Sequence, residues 1–231
     1  MDGDKDMLVK ERVVIFIDGS NVFHAIRALN IKIDYSKLVS FLSEGKYLVR
    51  AYYYSSMPRV EDVEKDTPEW DSLMRQRKFI GELKNMGIKP RMANLRKLAT
   101  GEWLEKEVDI MLATDMLALA FRDAYDTAIL VSGDSDFCYT VETIQDLGKR
   151  VINATFKRNS SPLLRAVCDE VIILDDHIEE IILEKPKPKE EKREEKPPEE
   201  GKGEVEQPKE EKKGLLDRIL SIFRSSSALF V

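Results

Sequence analysis

The chain has 231 residues, enough for one full-sized hydrophobic core with an appendage besides. Charged residues make up 35% of it and the formal net charge is −6. That balance excludes a broad electrostatic grip on nucleic acid, so any such contact must rest on a local basic patch or on bound cations.

Residues 1–11 are mostly charged and polar and are expected to be flexible; they lack the apolar core of a signal peptide. Val13 to Ile17 is the first apolar β-branched run, and a helix is expected after Asn21. Tyr35 to Leu42 follows as a helix and Tyr47 to Tyr54 as a strand. Met57 to Pro68, with two prolines and several charges, reads as a long loop. A helix over Glu69 to Met86 is stopped by Gly87, a C-cap placed just before the strand Ile88 to Ala93. The helix Glu105 to Arg122, the strand Thr127 to Val131 and the helix Phe137 to Leu147 come next. Gly148 ends the last of these before the strand Arg150 to Phe156, and a helix over Pro162 to Val167 leads to a short strand at Val171 to Leu174. Buried parallel strands read as continuous apolar runs, and amphipathic helices as a 3.6-residue period. The alternation therefore predicts an α/β domain over residues 12–183, a three-layer Rossmannoid fold whose mainly parallel sheet is covered on both faces.

From residue 184 to 213 the sequence is almost all Lys, Glu and Pro, too polar to offset the entropy of ordering, and a disordered linker is expected. Within 214–231, Leu215, Leu216, Ile219, Leu220, Ile222 and Phe223 fall on one helical face. A short amphipathic helix on a flexible tether is a docking element for a protein partner or a membrane surface; folding back on its own domain, or self-association into a homodimer, fits the pattern as well. No apolar run is long enough to span a bilayer, and a cytoplasmic protein is expected. Cys138 and Cys168 have no neighbours at zinc-ligand spacing and read as small buried apolar residues.

The chemistry lies in the acids. The first strand runs directly into Asp18, Gly19, Ser20 and Asn21, which places a carboxylate at a strand's carboxyl end, where a glycine allows a sharp turn. The fourth strand ends in Ser132, Gly133, Asp134, Ser135 and Asp136; a helix cap accounts for one of the two acids, not both. A crossover helix runs antiparallel to the strands, so Asp109, near the start of its helix, also comes to the carboxyl edge. Asp115 lies about 9 Å further along the axis and is the weaker candidate. If the first and fourth strands are neighbours at the switch point, Asp18, Asp109, Asp134 and Asp136 converge on one crevice. Carboxylates so gathered repel one another and need a compensating charge. An all-oxygen set favours a hard cation, Mg²⁺ or Mn²⁺, which binds substrate phosphate and lowers the pKa of a bound water. Asn21, with Ser20 and Ser132 as weaker candidates, is placed to position water or phosphate.

Three segments, Phe16 to Asn21, Val108 to Asp115 and Ile129 to Phe137, jointly resemble the signature of the NYN domain family (LabA-like), with Gly148 to Val151 following as in the family; the likeness covers about Arg12 to Asp175. What the resemblance implies is a PIN-like fold, metal-dependent ribonuclease activity, and acidic ligands matching Asp18, Asp109, Asp134 and Asp136. Ser135 stands where many relatives carry glycine. For RNA, Lys157 and Arg158 at the carboxyl edge and Arg96 and Lys97 at the end of a basic stretch from Arg75 are the candidate contacts, with Asn159 and Ser160 able to bond phosphate and Tyr54 able to stack on a base. His24 reads as a packed or surface residue. A non-catalytic RNA- or nucleotide-binding module of the same fold, recruiting a partner through residues 214–231, is the alternative. A metal-ion adhesion site fits Asn21 and the paired Asp134 and Asp136 poorly, and a haloacid-dehalogenase phosphatase lacks its second aspartate after Asp18.

Overall fold

A computed structural model describes residues 10–97, 103–104 and 107–183 of the chain. The linker and amphipathic-helix expectations for 184–231, and most of the N-terminal segment, lie outside the described residues. In chain order the elements are β1 (Arg12–Asp18), α1 (Gly19–Leu29), α2 (Tyr35–Leu42), β2 (Tyr47–Met57), α3 (Pro68–Asn85), β3 (Ile88–Asn94), β4 (Arg96–Lys97), β5 (Trp103–Leu104), α4 (Val108–Phe121), β6 (Thr127–Val131), α5 (Cys138–Asp146), β7 (Arg150–Thr155), α6 (Pro162–Val167), β8 (Glu170–Ile173) and α7 (Ile178–Ile181). Among the described residues no helix is long and apolar enough to cross a membrane.

Six strands form one sheet in the order β3-β2-β1-β6-β7-β8, every pairing parallel. Central β1 shows why a run of apolar residues becomes such a strand. Val13, Ile15 and Ile17 point into a core under α1, α2, α3 and α7, while Val14 and Phe16 point into a second core under α4, α5 and α6. With both faces covered, a strand has no polar side to show. The six expected strands are all present, within about three residues at either end, and Gly87 and Gly148 adopt positive φ just after α3 and α5, as C-cap residues do. The hairpin of β4 with β5 and the single-turn helix α7 were not expected; two-residue strands and a four-residue helix carry too few positions for a periodic signal. Helix α4 begins at Val108, three residues later than the periodicity suggests, which moves Asp109 into its first turn.

The order reverses at β1: the chain winds outward on one side through β2 and β3, then returns to lay β6 against the other side of β1. Ile17 pairs with Val131, so the residues that follow, Asp18 and Ser132, emerge side by side at the carboxyl edge. Loops leaving neighbouring strands in opposite directions open a crevice there.

That crevice has tightly packed walls. Gly133 follows β6, and a β-carbon on it would sit 1.8 Å from the Asn159 carbonyl oxygen in the turn after β7. Gly19 is needed for the same reason: its absent β-carbon would fall 2.7 Å from the Tyr54 carbonyl oxygen, so close approach to β2 selects glycine here, not the sharp turn expected from sequence. Gly133→Ala is therefore expected to lower unfolding stability by about 1–3 kcal/mol, whereas Gly81→Ala in α3, where the added methyl meets nothing within 4 Å, raises it by about 0.5–1 kcal/mol. Urea denaturation of the two variants checks both signs.

Candidate active site

Asp18 is the last residue of β1 and the N-cap of α1, so the strand fixes its position and the helix engages its side chain. One carboxylate oxygen accepts the Asn21 backbone N–H at 3.0 Å and the other accepts the Ser132 hydroxyl at 2.8 Å. The residue is only 4% exposed. Burial disfavours its charged form, and neighbouring Asp109 and Asp134 add repulsion; the two hydrogen bonds offset only part of this, so its pKa is raised to about 6. Among the described residues neither Asp18 nor Asp134 has an ion-pair partner.

A web of neutral hydrogen bonds holds the surrounding turns. Ser132 Oγ also accepts the Asp134 N–H at 3.2 Å, linking the β6 turn to Asp18. Asn21 Oδ1 accepts the Gly133 N–H at 3.0 Å, and the Asn159 side-chain amide donates to both Asn21 oxygens at 2.7 and 2.8 Å. The turns after β1, β6 and β7 are thus locked to one another, and the Asn21 amide NH₂ is left as the donor at the site.

Between them lies a cleft of about 400 Å³, lined by Asp18, Ser20, Asn21, His24, Glu107, Val108, Asp109 and Asp134. Of the acids expected from sequence, Asp18, Asp109 and Asp134 are brought together there, from β1, from the first turn of α4 and from the turn after β6. Asp136 is exposed and does not line the cleft: Asp134 Oδ1 caps its backbone N–H at 3.0 Å, and in that turn the Asp136 side chain is carried outward. Ser20 and Asn21 line the cleft, and Ser132 is buried behind Asp18. Asp115 is engaged elsewhere: the Tyr54 hydroxyl donates to its Oδ2 at 3.0 Å and Arg91 Nε stands 3.0 Å from the same oxygen, an ionic contact because the N–H is off line.

Several expected substrate contacts are occupied by structural work. Tyr54 is fully buried, burial pushes its hydroxyl far above the ordinary tyrosine range, and it cannot stack on a base. Asn159 clamps Asn21 and is not left to bind phosphate. Lys157 pairs with Asp176 at 2.6 Å, while Arg158 is exposed at the carboxyl edge. Arg96 and Lys97 form β4, which pairs with Trp103 and Leu104 of β5 in an antiparallel hairpin. Two lining residues were missed. His24 was set aside because a lone histidine on a helix carries little signal, although its place one turn after Asn21 puts it on the same side. Glu107, two residues before Asp109, belongs to no motif that would single it out in the sequence.

Among the described residues no three His, Cys, Asp or Glu side chains stand close enough together to hold an ion on their own. The donors that do line the cleft are all oxygens apart from His24 and the Asn21 amide, with one buried carboxylate lacking a counter-charge. That set fits a hard cation that keeps much of its water and is completed by a phosphate, and does not fit a closed protein cage.

A parallel α/β sheet with acids from three elements at its switch point defines a Rossmannoid domain with a carboxylate-lined crevice, the architecture of the PIN-like superfamily. Residues 12–175 match the NYN domain family, part of that superfamily, and the chain belongs to it. It is 26% identical over 186 residues to the low amplitude and bright protein LabA of Synechococcus elongatus, an alignment spanning 77% of this chain and 91% of that one. A crystal structure of a Vibrio parahaemolyticus protein of unknown function is similar with a TM-score of 0.57 and 26% identity, over 79% of this chain and all of the other.

Asp18 gives a signed expectation for stability. Its folded pKa, raised to about 6, lies above the ordinary value of 3.8 that describes the unfolded chain, so the native state gains relative stability below about pH 4 and loses it as pH rises through about 6. The difference corresponds to a loss on the order of 3 kcal/mol at neutral pH. In chelator, Asp18→Asn is therefore expected to melt higher than the unmodified protein at about pH 7.5 and to lose that advantage at about pH 4, measured by thermal denaturation.

Proposed function

We propose that this chain is a metal-dependent ribonuclease that hydrolyses RNA phosphodiester bonds with Mg²⁺ or Mn²⁺ held by Asp18, Asp109 and Asp134. One observation carries the reading: three carboxylates from three elements line one cleft, and the buried one is pushed toward its neutral form by burial first and by the other two besides. A bound dication would reverse that penalty, polarise the scissile phosphate and lower the pKa of water at the site. Family membership in the PIN-like nucleases supports the same class of reaction.

The residues of the chain then divide the work. Asp18 is fixed by Ser132 and by the start of α1, so it holds its place without rearranging. Asp109 and Asp134 stand on the cleft walls, where one carboxylate can orient or deprotonate the attacking water. Asn21, its oxygens held by Gly133 and Asn159, presents an amide NH₂ to a non-bridging phosphate oxygen. Arg158, exposed at the same edge, is a cation for the RNA backbone beyond the reacting phosphate.

A second reading, a non-catalytic RNA- or nucleotide-binding module that recruits a protein or membrane partner through residues 214–231, is favoured by the absence of a three-ligand cage among the described residues and by the net charge of −6. Asp134→Asn separates the two. The ribonuclease reading expects cleavage of single-stranded or structured RNA in Mn²⁺ to fall at least ~100-fold while the protein stays folded. Unchanged turnover in that variant, or none in the unmodified protein across Mg²⁺ and Mn²⁺, removes it.

A further inference from the structure

Helix α4 is apolar on the side that faces solvent as well as on the side that faces the sheet. Val108, Leu112, Met116 and Ala120 are buried in the second core. At about 100° per residue, Ile110, Thr114, Leu117 and Phe121 fall within about 60° of one another on the opposite side, and the small Ala113 and Ala118 flank them. Ile110 is 69% exposed and Phe121 81%. The charged residues of the helix are Asp109, which lines the cleft, and Asp115, which Tyr54 and Arg91 engage, so the outward stripe carries no charge at all.

A helix face left in water is ordinarily charged, and the other layer of this domain follows that rule: the solvent side of α3 carries Asp71, Arg77, Lys78 and Lys84. A helix that is apolar all round is one that becomes buried all round. Exposed isoleucine and phenylalanine in one uncharged row mark an interaction surface. Beside α4, α5 also exposes a large ring, Tyr139, at 79%.

We propose that a second copy of the chain docks on this stripe, α4 against α4 in antiparallel orientation about a twofold axis. The spacing of the stripe carries the choice of partner. Its intervals along the chain, three, one, three, one and three residues, read the same from either end. An antiparallel copy therefore sets Ile110 of each chain opposite Phe121 of the other, and Thr114 opposite Leu117, the self-complementarity that a twofold interface needs. The ends of the helix agree. Glu107 and Asp109 stand at its start and exposed Arg122 at its end, while Asp123 beyond is neutralised by Arg12 and Lys149. Antiparallel pairing brings ends of opposite charge together, where parallel pairing would bring like ends together. The C-terminal segment of the same chain fits less well, because the described residues end at Leu183, whose N–H bonds to the Lys32 carbonyl on the other face of the sheet. A helix of this length is about 21 Å long, so the helix pair alone buries less than the ~800 Å² per partner of a standard interface. Tyr139 and its neighbours on α5 add to it, and the dimer is a reversible one.

Sedimentation velocity of the full chain over a micromolar concentration series tests this, and a reversible monomer–dimer equilibrium is expected. Ile110→Lys and Phe121→Glu, both at exposed positions, should keep the fold, as circular dichroism checks. Each should weaken dimerisation by at least ~100-fold, because the symmetry counts every substitution twice. Mixing the two variants should restore a dimer: in the antiparallel register the introduced charges, opposite in sign, meet at one end of the helix pair while the native Ile110 and Phe121 meet at the other. Three results would overturn the proposal. One is a monomer at every concentration, as docking of the C-terminal segment onto its own α4 would give. Another is an assembly that neither substitution weakens, which would place the contact on a different face. The last is a pair of monomeric variants that stay monomeric when mixed, which would exclude the antiparallel register.

Discussion

Everything at the functional edge of this protein is arranged around a carboxylate that burial and its neighbours push toward neutrality. Asp18 is placed by a central, buried strand of the sheet and held by a hydroxyl and a backbone N–H, but among the described residues no cation is paired with it. The opposite edge of the sheet shows what the chain does when carboxylates serve stability. There Arg12 donates to Asp126 at 2.7 Å, Lys149 and Arg12 both pair with Asp123, and these contacts hold both acids below the usual carboxylate range. Asp123 and Asp126 at the amino edge are neutralised by side chains, whereas among the described residues Asp18 and Asp134 at the carboxyl edge have no ion-pair partner.

The clamp that keeps the acidic edge in shape is made of small, neutral groups. Gly133 lets the turn after β6 touch the turn after β7, Asn159 ties that second turn to Asn21, and Ser132 joins Asp134 to Asp18. Neutral hydrogen bonds can hold such a site without cancelling its field, which a lysine or arginine in the same place would do. Preorganisation of this kind keeps the cost of gathering like charges in the folding of the domain, so that the cation of the proposed function would meet a site already formed.

Much of this was legible in the sequence. The run Val13 to Ile17 ending in Asp18, and Thr127 to Val131 ending in Ser132 and Gly133, announce two strands with polar carboxyl ends, and the alternation of elements predicts their parallel pairing. Asp109 was found because crossover helices have a fixed direction. Asp136 was placed in the crevice from spacing alone, and spacing does not reveal that Asp134 caps the next turn and carries Asp136 outward. The clamp by Asn159 is a contact across 138 residues, invisible to any local pattern. Tyr54 was offered as a stacking residue because a strand end can be exposed; its burial follows from α4 covering that face, a tertiary fact. Glu107 lines the cleft through the placement of the start of α4, a tertiary fact that no local residue pattern carries.

Membership of the NYN family fixes the fold; the proposed chemistry rests on the acids of the cleft. The proposed function requires Asp18, Asp109 and Asp134 to bind a divalent cation together at the switch point of the sheet. The direct measurement is an anomalous difference map from crystals soaked in Mn²⁺ with data collected near the manganese absorption edge. A peak is expected in the cleft within coordination reach of Asp18, and it should be lost from crystals of Asp18→Asn. Manganese bound only elsewhere on the surface, with the cleft empty, would contradict it.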